Sequence, residues 1–188
     1  IFIPRNRSGR PGEVVDVPVR LVVNEADGLT ISGVDVVVEF DPTRFSIEAA
    51  QLAGLLEGNG FVGLLTSPAE GTLIYTVSSA QGTPILPLGT IGDLLTLRFA
   101  IREDAAGGSA TMNLRSSFGM TVSSAFDHRL CELALIPAPT NSHLDETDGV
   151  VDILTEPQPV VTVNPLTTND KTPALTGTVS EGALEGTV

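Results

Sequence analysis

Hydrophobic and polar positions alternate with a period of two along most of the chain. Val15, Val17, Val19 and Leu21 are separated by Asp16, Pro18 and Arg20. Val34, Val36, Val38 and Phe40 alternate with Asp35, Val37 and Glu39. Leu73, Tyr75 and Val77 alternate with Ile74, Thr76 and Ser78, and Leu95, Leu97, Phe99 and Ile101 with Thr96, Arg98, Ala100 and Arg102. Such a period turns one set of side chains into a core and the other outward, as in half-buried β-strands. Further strands are predicted at 1–3, 61–65, 111–114, 120–123, 130–136 and 150–154. Turn signals separate the runs: Arg10-Pro11-Gly12, Ala26-Asp27-Gly28, Asp41-Pro42, Glu57-Gly58-Asn59-Gly60, Ser67-Pro68, Ala106-Gly107-Gly108 and Asp148-Gly149. About nine short strands at this spacing predict an all-β, antiparallel sandwich and not a βαβ fold. The one helix-like stretch is 47–56, and Gly54 weighs against a helix there.

The composition changes near Thr155, which predicts a main domain over 1–155. Residues 156–159, Glu-Pro-Gln-Pro, read as an extended linker, because each proline drives its predecessor out of the α region. Beyond it, 160–163 and 174–179 are predicted strands joined by a polar, proline-containing loop. Thirty residues of this kind cannot bury a core alone. A mobile tail, or one that borrows a sheet edge from the main domain or a neighbouring molecule, is the expectation. Beginning at Ile1, without an initiator Met or signal peptide, the chain reads as a segment of a longer polypeptide.

Charge narrows the function. Among 188 residues, 23 Asp and Glu face 10 Lys and Arg, for a formal net charge of -13. That balance excludes a sequence-independent nucleic-acid binder, which needs a basic stripe, and it disfavours anionic membrane surfaces. No apolar run is long enough to span a bilayer. Hydrophobic residues make up 41% of the chain, enough for a sizeable core. Trp is absent and Tyr75 is the only Tyr, so the stacking platform of a sugar-binding surface is missing. Cys131 is the single cysteine, which excludes an intramolecular disulfide.

No catalytic constellation emerges. Ser124, Asp127 and His128 are the residue types of a nucleophilic triad. Adjacent strand residues point to opposite faces, however, so Asp127 and His128 cannot both address one serine. His128 reads instead as a turn residue and Cys131 as a small core residue. His128, His143 and Cys131 have no paired zinc spacing. The segment 144–149 places Gly149 as an EF-hand loop would, but Leu144 and Thr155 fall where the loop needs carboxylates. A weaker loop calcium on Asp145 or Asp148 is one reading, and a solvated hairpin turn is the preferred one. The remaining acids read as a solubilising surface.

Three segments together resemble the cohesin modules of cellulosome scaffoldins and related surface proteins. They are Gly12-Glu13-Val14-Val15-Asp16-Val17-Pro18-Val19, then 31–47 with Val34-Asp35-Val36-Val37-Val38-Glu39-Phe40-Asp41-Pro42 at its centre, then 93–110 running into Ala105-Ala106-Gly107-Gly108. The resemblance implies a nine-stranded jelly-roll sandwich with its first and last strands adjacent. It also implies an extracellular or cell-surface bacterial module, with no cofactor of its own, that docks a dockerin carrying the calcium. The family's docking face is built on the strand holding Gly33-Val34-Asp35. Asp35 matches its acidic position, and Gly33 stands where many scaffoldin cohesins carry Asn. By alternation Val37 and Glu39 share that outward face, so Val37 reads either as an exposed docking spot between two acids or as a lone surface valine. Ile74 and Thr76, then Thr96 and Arg98, are expected to extend the face, with Tyr75 turned inward. The tail 160–188 resembles the opening of a bacterial Ig-like repeat. A monomeric interaction module is therefore the leading expectation, beside a carbohydrate-binding jelly roll and a structural spacer of an adhesin-like surface protein.

Overall fold

A computed structural model describes residues 1–155, 160–163 and 177–180. The chain divides into two units, 1–154 and 155–188. The first is all-β. Its strands are β1 (Arg7–Gly9), β2 (Val14–Val22), β3 (Gly33–Glu39), β4 (Phe45–Leu52), β5 (Val62–Ala69), β6 (Thr72–Ser78), β7 (Ile91–Ile101), β8 (Gly108–Arg115), β9 (Ser117–Phe118), β10 (Thr121–Val122), β11 (Ser124–Phe126) and β12 (Gly149–Ile153). One sheet runs β1-β12-β8-β3-β6-β5, with β11 also on β3, and a second runs β2-β7-β4. β1 and β12 pair in parallel, Arg7 opposite Val151, which brings the two ends of the sandwich together. The described strands of this unit number twelve, not nine, and the excess over nine matches the short β9, β10 and β11.

The inward residues of the period-two runs form one core. Val17, Val19, Val36, Val38, Leu73, Leu95, Leu97, Phe99 and Ile101 are all essentially inaccessible, and Tyr75 is 5% exposed. Phe99 sits at the centre, edge-on to Phe40 at 5.0 Å and to Phe45 at 6.1 Å between ring centroids. The 47–56 stretch continues β4 as far as Leu52. Ser67 and Pro68, expected as a turn, lie inside β5 at a register shift between Thr66 and Ala69. Proline is tolerated there because β5 is an edge strand and the bulge needs no ladder donor. The turn proper is Glu70-Gly71, between paired Ala69 and Thr72. Gly71 has φ +72°, and a Cβ there would meet the Phe40 carbonyl oxygen at 2.6 Å, so only glycine fits.

Two predicted strands are largely irregular. At 1–3 only Phe2 bridges, to Arg20. At 130–136 only Glu132 bridges, to Phe126. Cys131 is exposed, contrary to its expected place in the core. The Asp145–Asp148 turn is buried at its end and not solvated, because its carboxylates serve as backbone acceptors. Asp148 is fully buried. It accepts from Leu114 N at 2.8 Å and Asp145 N at 3.0 Å. Asp145 accepts from both the backbone N and the hydroxyl of Thr140 and of Thr147.

In the second unit, β13 (Val160–Val163) and β14 (Gly177–Ser180) pair antiparallel, Val160 opposite Ser180. The linker 156–159 and most of the segment resembling an Ig-like repeat lie outside the described residues.

Candidate docking face

The register of β5, β6, β3 and its neighbours on the other side defines rows across the outward face of the larger sheet. One row reads Val62, Ser78, Gly33, Phe126. The next reads Leu64, Thr76, Asp35, Ser124. The third reads Thr66, Ile74, Val37, Arg115. The fourth reads Thr72, Glu39, Asn113. Directly opposed residues share a face, so Gly33, Asp35, Val37, Glu39, Ile74 and Thr76 lie together as the sequence suggests.

The lower rows are closed. Arg115 contacts the Glu39 carboxylate at 3.3 Å. Asn113, 1% exposed, lies beneath it. Its amide donates to Glu39 at 3.4 Å and lies 3.3 Å from His143 Nδ1. Arg115 Nε donates to Asn141 at 3.3 Å. A loop carrying Asn141 and His143 thus reaches the side chains of Arg115 and Asn113.

Val37 overturns the expectation of an exposed docking spot. It is 0% exposed, yet it lies outside the cluster of residues that forms the core. It points outward and is covered there. Ile74 and Arg115 flank it in its row. The excursion between β8 and β11, containing the β9–β10 hairpin, closes beside it. Ser123 Oγ accepts from Val37 N at 3.0 Å and donates to the Arg115 carbonyl at 2.6 Å. Ser123 N also donates to Ser116 O at 2.9 Å, which pinches the hairpin shut at its base.

The upper rows mix apolar Val62, Leu64 and Phe126 with polar Ser78, Thr76, Asp35 and Ser124, and they are open at their β5 end. Val62 is 74% exposed and Leu64 is 65% exposed, side by side on edge strand β5. Ile74 and Phe126 are half-buried, and neither packs on the core. Phe126 lies against Gly33: a Cβ added there would be 3.6 Å from its Cδ2. Gly33 is buried for that reason. The side chain of Asp35, half-buried among these groups, makes no hydrogen bond or ion pair with the described residues. The face therefore offers apolar contact with one unengaged carboxylate in the middle. Val62, Leu64 and Phe126 were missed by the sequence reading. The unbroken apolar run Phe61-Val62-Gly63-Leu64-Leu65 was the available signal for β5, since a strand apolar on both faces has two surfaces to cover. For Phe126, just beyond the predicted 120–123 strand, no signal stood out.

The expectation that Thr96 and Arg98 extend this face does not hold. Their strand β7 pairs with β2 and β4, in the other sheet. Arg98 lies 3.9 Å from Asp16 and 3.7 Å from Glu48. Alternation turns both residues outward, but from the opposite side of the sandwich.

Elsewhere the polar groups serve turns. Asp127 accepts from Arg129 N at 2.7 Å and Cys131 N at 2.8 Å, and the bond from Cys131 foremost lowers its pKa. Asp41 accepts from the hydroxyl and backbone N of Thr43, and the hydroxyl bond foremost lowers its pKa. Burial raises the pKa of Tyr75. Among the described residues no three His, Cys, Asp or Glu are grouped to hold a metal ion, and no helix is long and apolar enough to cross a membrane.

Comparison with known proteins gives this geometry a context. The family model of the cohesin domain matches residues 1–127. The fold is similar to that of the sixth cohesin of scaffoldin B from Acetivibrio cellulolyticus, solved in complex with a mutant Cel5 dockerin. The TM-score is 0.60 at 21% identity, over 82% of this chain and 100% of that one. It is similar to the cohesin of the Coh-OlpA–Doc918 complex from Clostridium thermocellum, with a TM-score of 0.58 at 18% identity, over 82% and 97% of the two chains. A non-cellulosomal cohesin from the hyperthermophilic archaeon Archaeoglobus fulgidus gives 0.56 at 12% identity, over 82% and 90%. At these identities the likeness shows the fold. A search of curated sequences finds no match.

Proposed function

Because the chain belongs to the cohesin family, we propose that unit 1–154 is a non-catalytic protein-interaction module that docks a dockerin-type partner on the outward face of β5, β6 and β3. The observation that carries this reading is the pairing of exposed Val62 and Leu64 with the unengaged Asp35. Contiguous exposed apolar side chains on a well-packed domain mark interaction sites, and an apolar centre with a polar rim is the anatomy of an interface. Site residues in this proposal are Gly33, Asp35, Ile74 and Thr76, joined by Val62, Leu64 and Phe126. Val37 and Glu39 support the face from within it. Thr96 and Arg98 belong to a different surface.

β1–β8 and β12 are read as the family's nine-stranded jelly roll, and β9–β11 as an excursion added to it. The partner brings its own calcium, and the module acts as an extracellular or cell-surface monomer at the end of a linker over 156–159. A sugar-binding role finds no support, since the only Tyr is turned into the core and Trp is absent.

The test is calorimetric titration with a panel of dockerins, in calcium and then with chelator. Saturable 1:1 binding lost on chelation is expected. A folded sample that binds none of the panel would sink the proposal.

A further inference from the structure

Resting on that docking reading, we propose that Phe126, seated in the gap left by Gly33, determines which partners fit. The partner it selects presents an aliphatic side chain to this ring and a hydrogen-bond donor or cation to Asp35.

The argument begins with the backbone. β11 pairs with β3 so that Phe126 opposes Gly33 and Ser124 opposes Asp35. Phe126 therefore stands on the outward face, and it does not pack on the core. A glycine at position 33 lets the ring lie across the neighbouring strand. A Cβ there would be 3.5 Å from the Val77 carbonyl oxygen, 3.6 Å from Phe126 Cδ2 and 3.9 Å from its Cβ. Those are ordinary contacts, so alanine fits; a longer polar side chain at 33 needs the space the ring occupies. Glycine and phenylalanine are thus a matched pair, and the outcome is an apolar row, Val62 to Phe126, interrupted only by Ser78.

Charge completes the description of the partner. Glu39 is engaged by Arg115 at 3.3 Å, which leaves Asp35 as the one carboxylate of the face whose side chain has no partner among the described residues. Burying it against a purely apolar surface would strand a charge. A partner must therefore supply one donor at Asp35, which stands between Thr76 and Ser124 with apolar Leu64 and Phe126 beyond them. Asp35 and Phe126 are diagonal neighbours across two strands, about 7–8 Å apart at the backbone. Side chains three or four residues apart on a helix are spaced about 5–6 Å. One exposed helical face carrying a donor and, one turn away, a Leu, Ile or Met spans both positions.

The experiment uses the full chain and the dockerin that gives saturable binding to it. Phe126→Ala is expected to raise Kd at least tenfold, Phe126→Leu less than about threefold, and Gly33→Asn at least tenfold, with thermal melts reporting that each variant is folded. Loss of folding would mimic loss of binding, so the partner is varied as well. Each exposed position of its contacting helix is changed to Leu and to Ser. One position is expected at which the wild-type chain prefers Leu at least tenfold, and at which that preference falls below threefold in Phe126→Leu or Phe126→Ala. A structural role for the ring would weaken both partners alike and leave the preference unchanged, which would overturn the proposal. Phe126→Ala binding within twofold of wild type would also overturn it. If Leu64→Ala weakens binding while Phe126→Ala does not, docking stands and this inference alone falls. If the wild type binds no dockerin, both fall together.

Discussion

Replacing Leu64 with alanine separates docking from folding. Leu64 is 65% exposed on edge strand β5, and its row continues through Thr76 to Asp35. Fully burying a leucine side chain is worth roughly 1.5–3 kcal/mol. About two thirds of that surface is still open here, so truncation removes roughly 1–2 kcal/mol of apolar burial at an interface covering it. At about 1.4 kcal/mol per decade, Kd rises roughly five- to thirtyfold. The same truncation leaves folding within about 0.5 kcal/mol, because an exposed side chain contributes little to the native state. Titration calorimetry against a binding dockerin, run beside urea unfolding of the free chain, measures both numbers. A wild-type Kd with Leu64→Ala would refute the placement of the interface on β5. A stability loss of several kcal/mol would refute the exposure on which the estimate rests.

Three more outcomes follow from the same geometry. Asp35→Ala should weaken binding roughly ten- to a hundredfold, the range for a lost charge-assisted hydrogen bond, while urea unfolding stays unchanged; unfolding of the variant would show that Asp35 is structural. Gly63→Ala should cost about 1–3 kcal/mol by overpacking, since the new Cβ falls on the Tyr75 hydroxyl and 2.5 Å from its Cζ; Tyr75→Phe should restore only part of it, and an unaltered urea midpoint in the single variant would contradict the packing. Burial raises the Asp145 pKa, but hydrogen bonds from Thr140 and Thr147 outweigh it and hold the carboxyl below 3.8. The sign follows: a depressed folded-state pKa contributes stability above the unfolded value that is lost as pH falls through the folded one. Asp148, which burial raises above 3.8, acts in the opposite sense, costing stability as pH climbs from there. Melting curves of Asp145→Ala and wild type should therefore converge as pH drops below about 4, and a gap independent of pH would exclude the linkage.

The inward half of each alternating strand was legible because one periodicity sets one face. Val36 and Val38 point to the core as their spacing predicts. Val37 between them was misread as exposed. Three consecutive valines signal burial on both faces, and strict alternation hides that signal. The cover over Val37 comes from segments distant in sequence, above all the excursion pinned by Ser123. Thr96 and Arg98 failed for another reason. Alternation tells which side of a strand faces outward but not which sheet the strand joins, and β7 is claimed by β2 and β4 through long-range pairing. Phe126 depended on a register that places it opposite Gly33, which no local pattern encodes. That Asp35 lies on the outward side of its strand was legible from the alternation with Val34 and Val36.

The most direct test of docking through this face is a map of where the partner lands. Backbone amide shifts of the isotopically labelled chain, followed as a binding dockerin is titrated in, would provide it. The account predicts the largest changes at residues 33–39, 62–66, 74–78 and 124–126, with Thr96 and Arg98 unmoved. Changes centred on β2, β7 and β4 instead would contradict it.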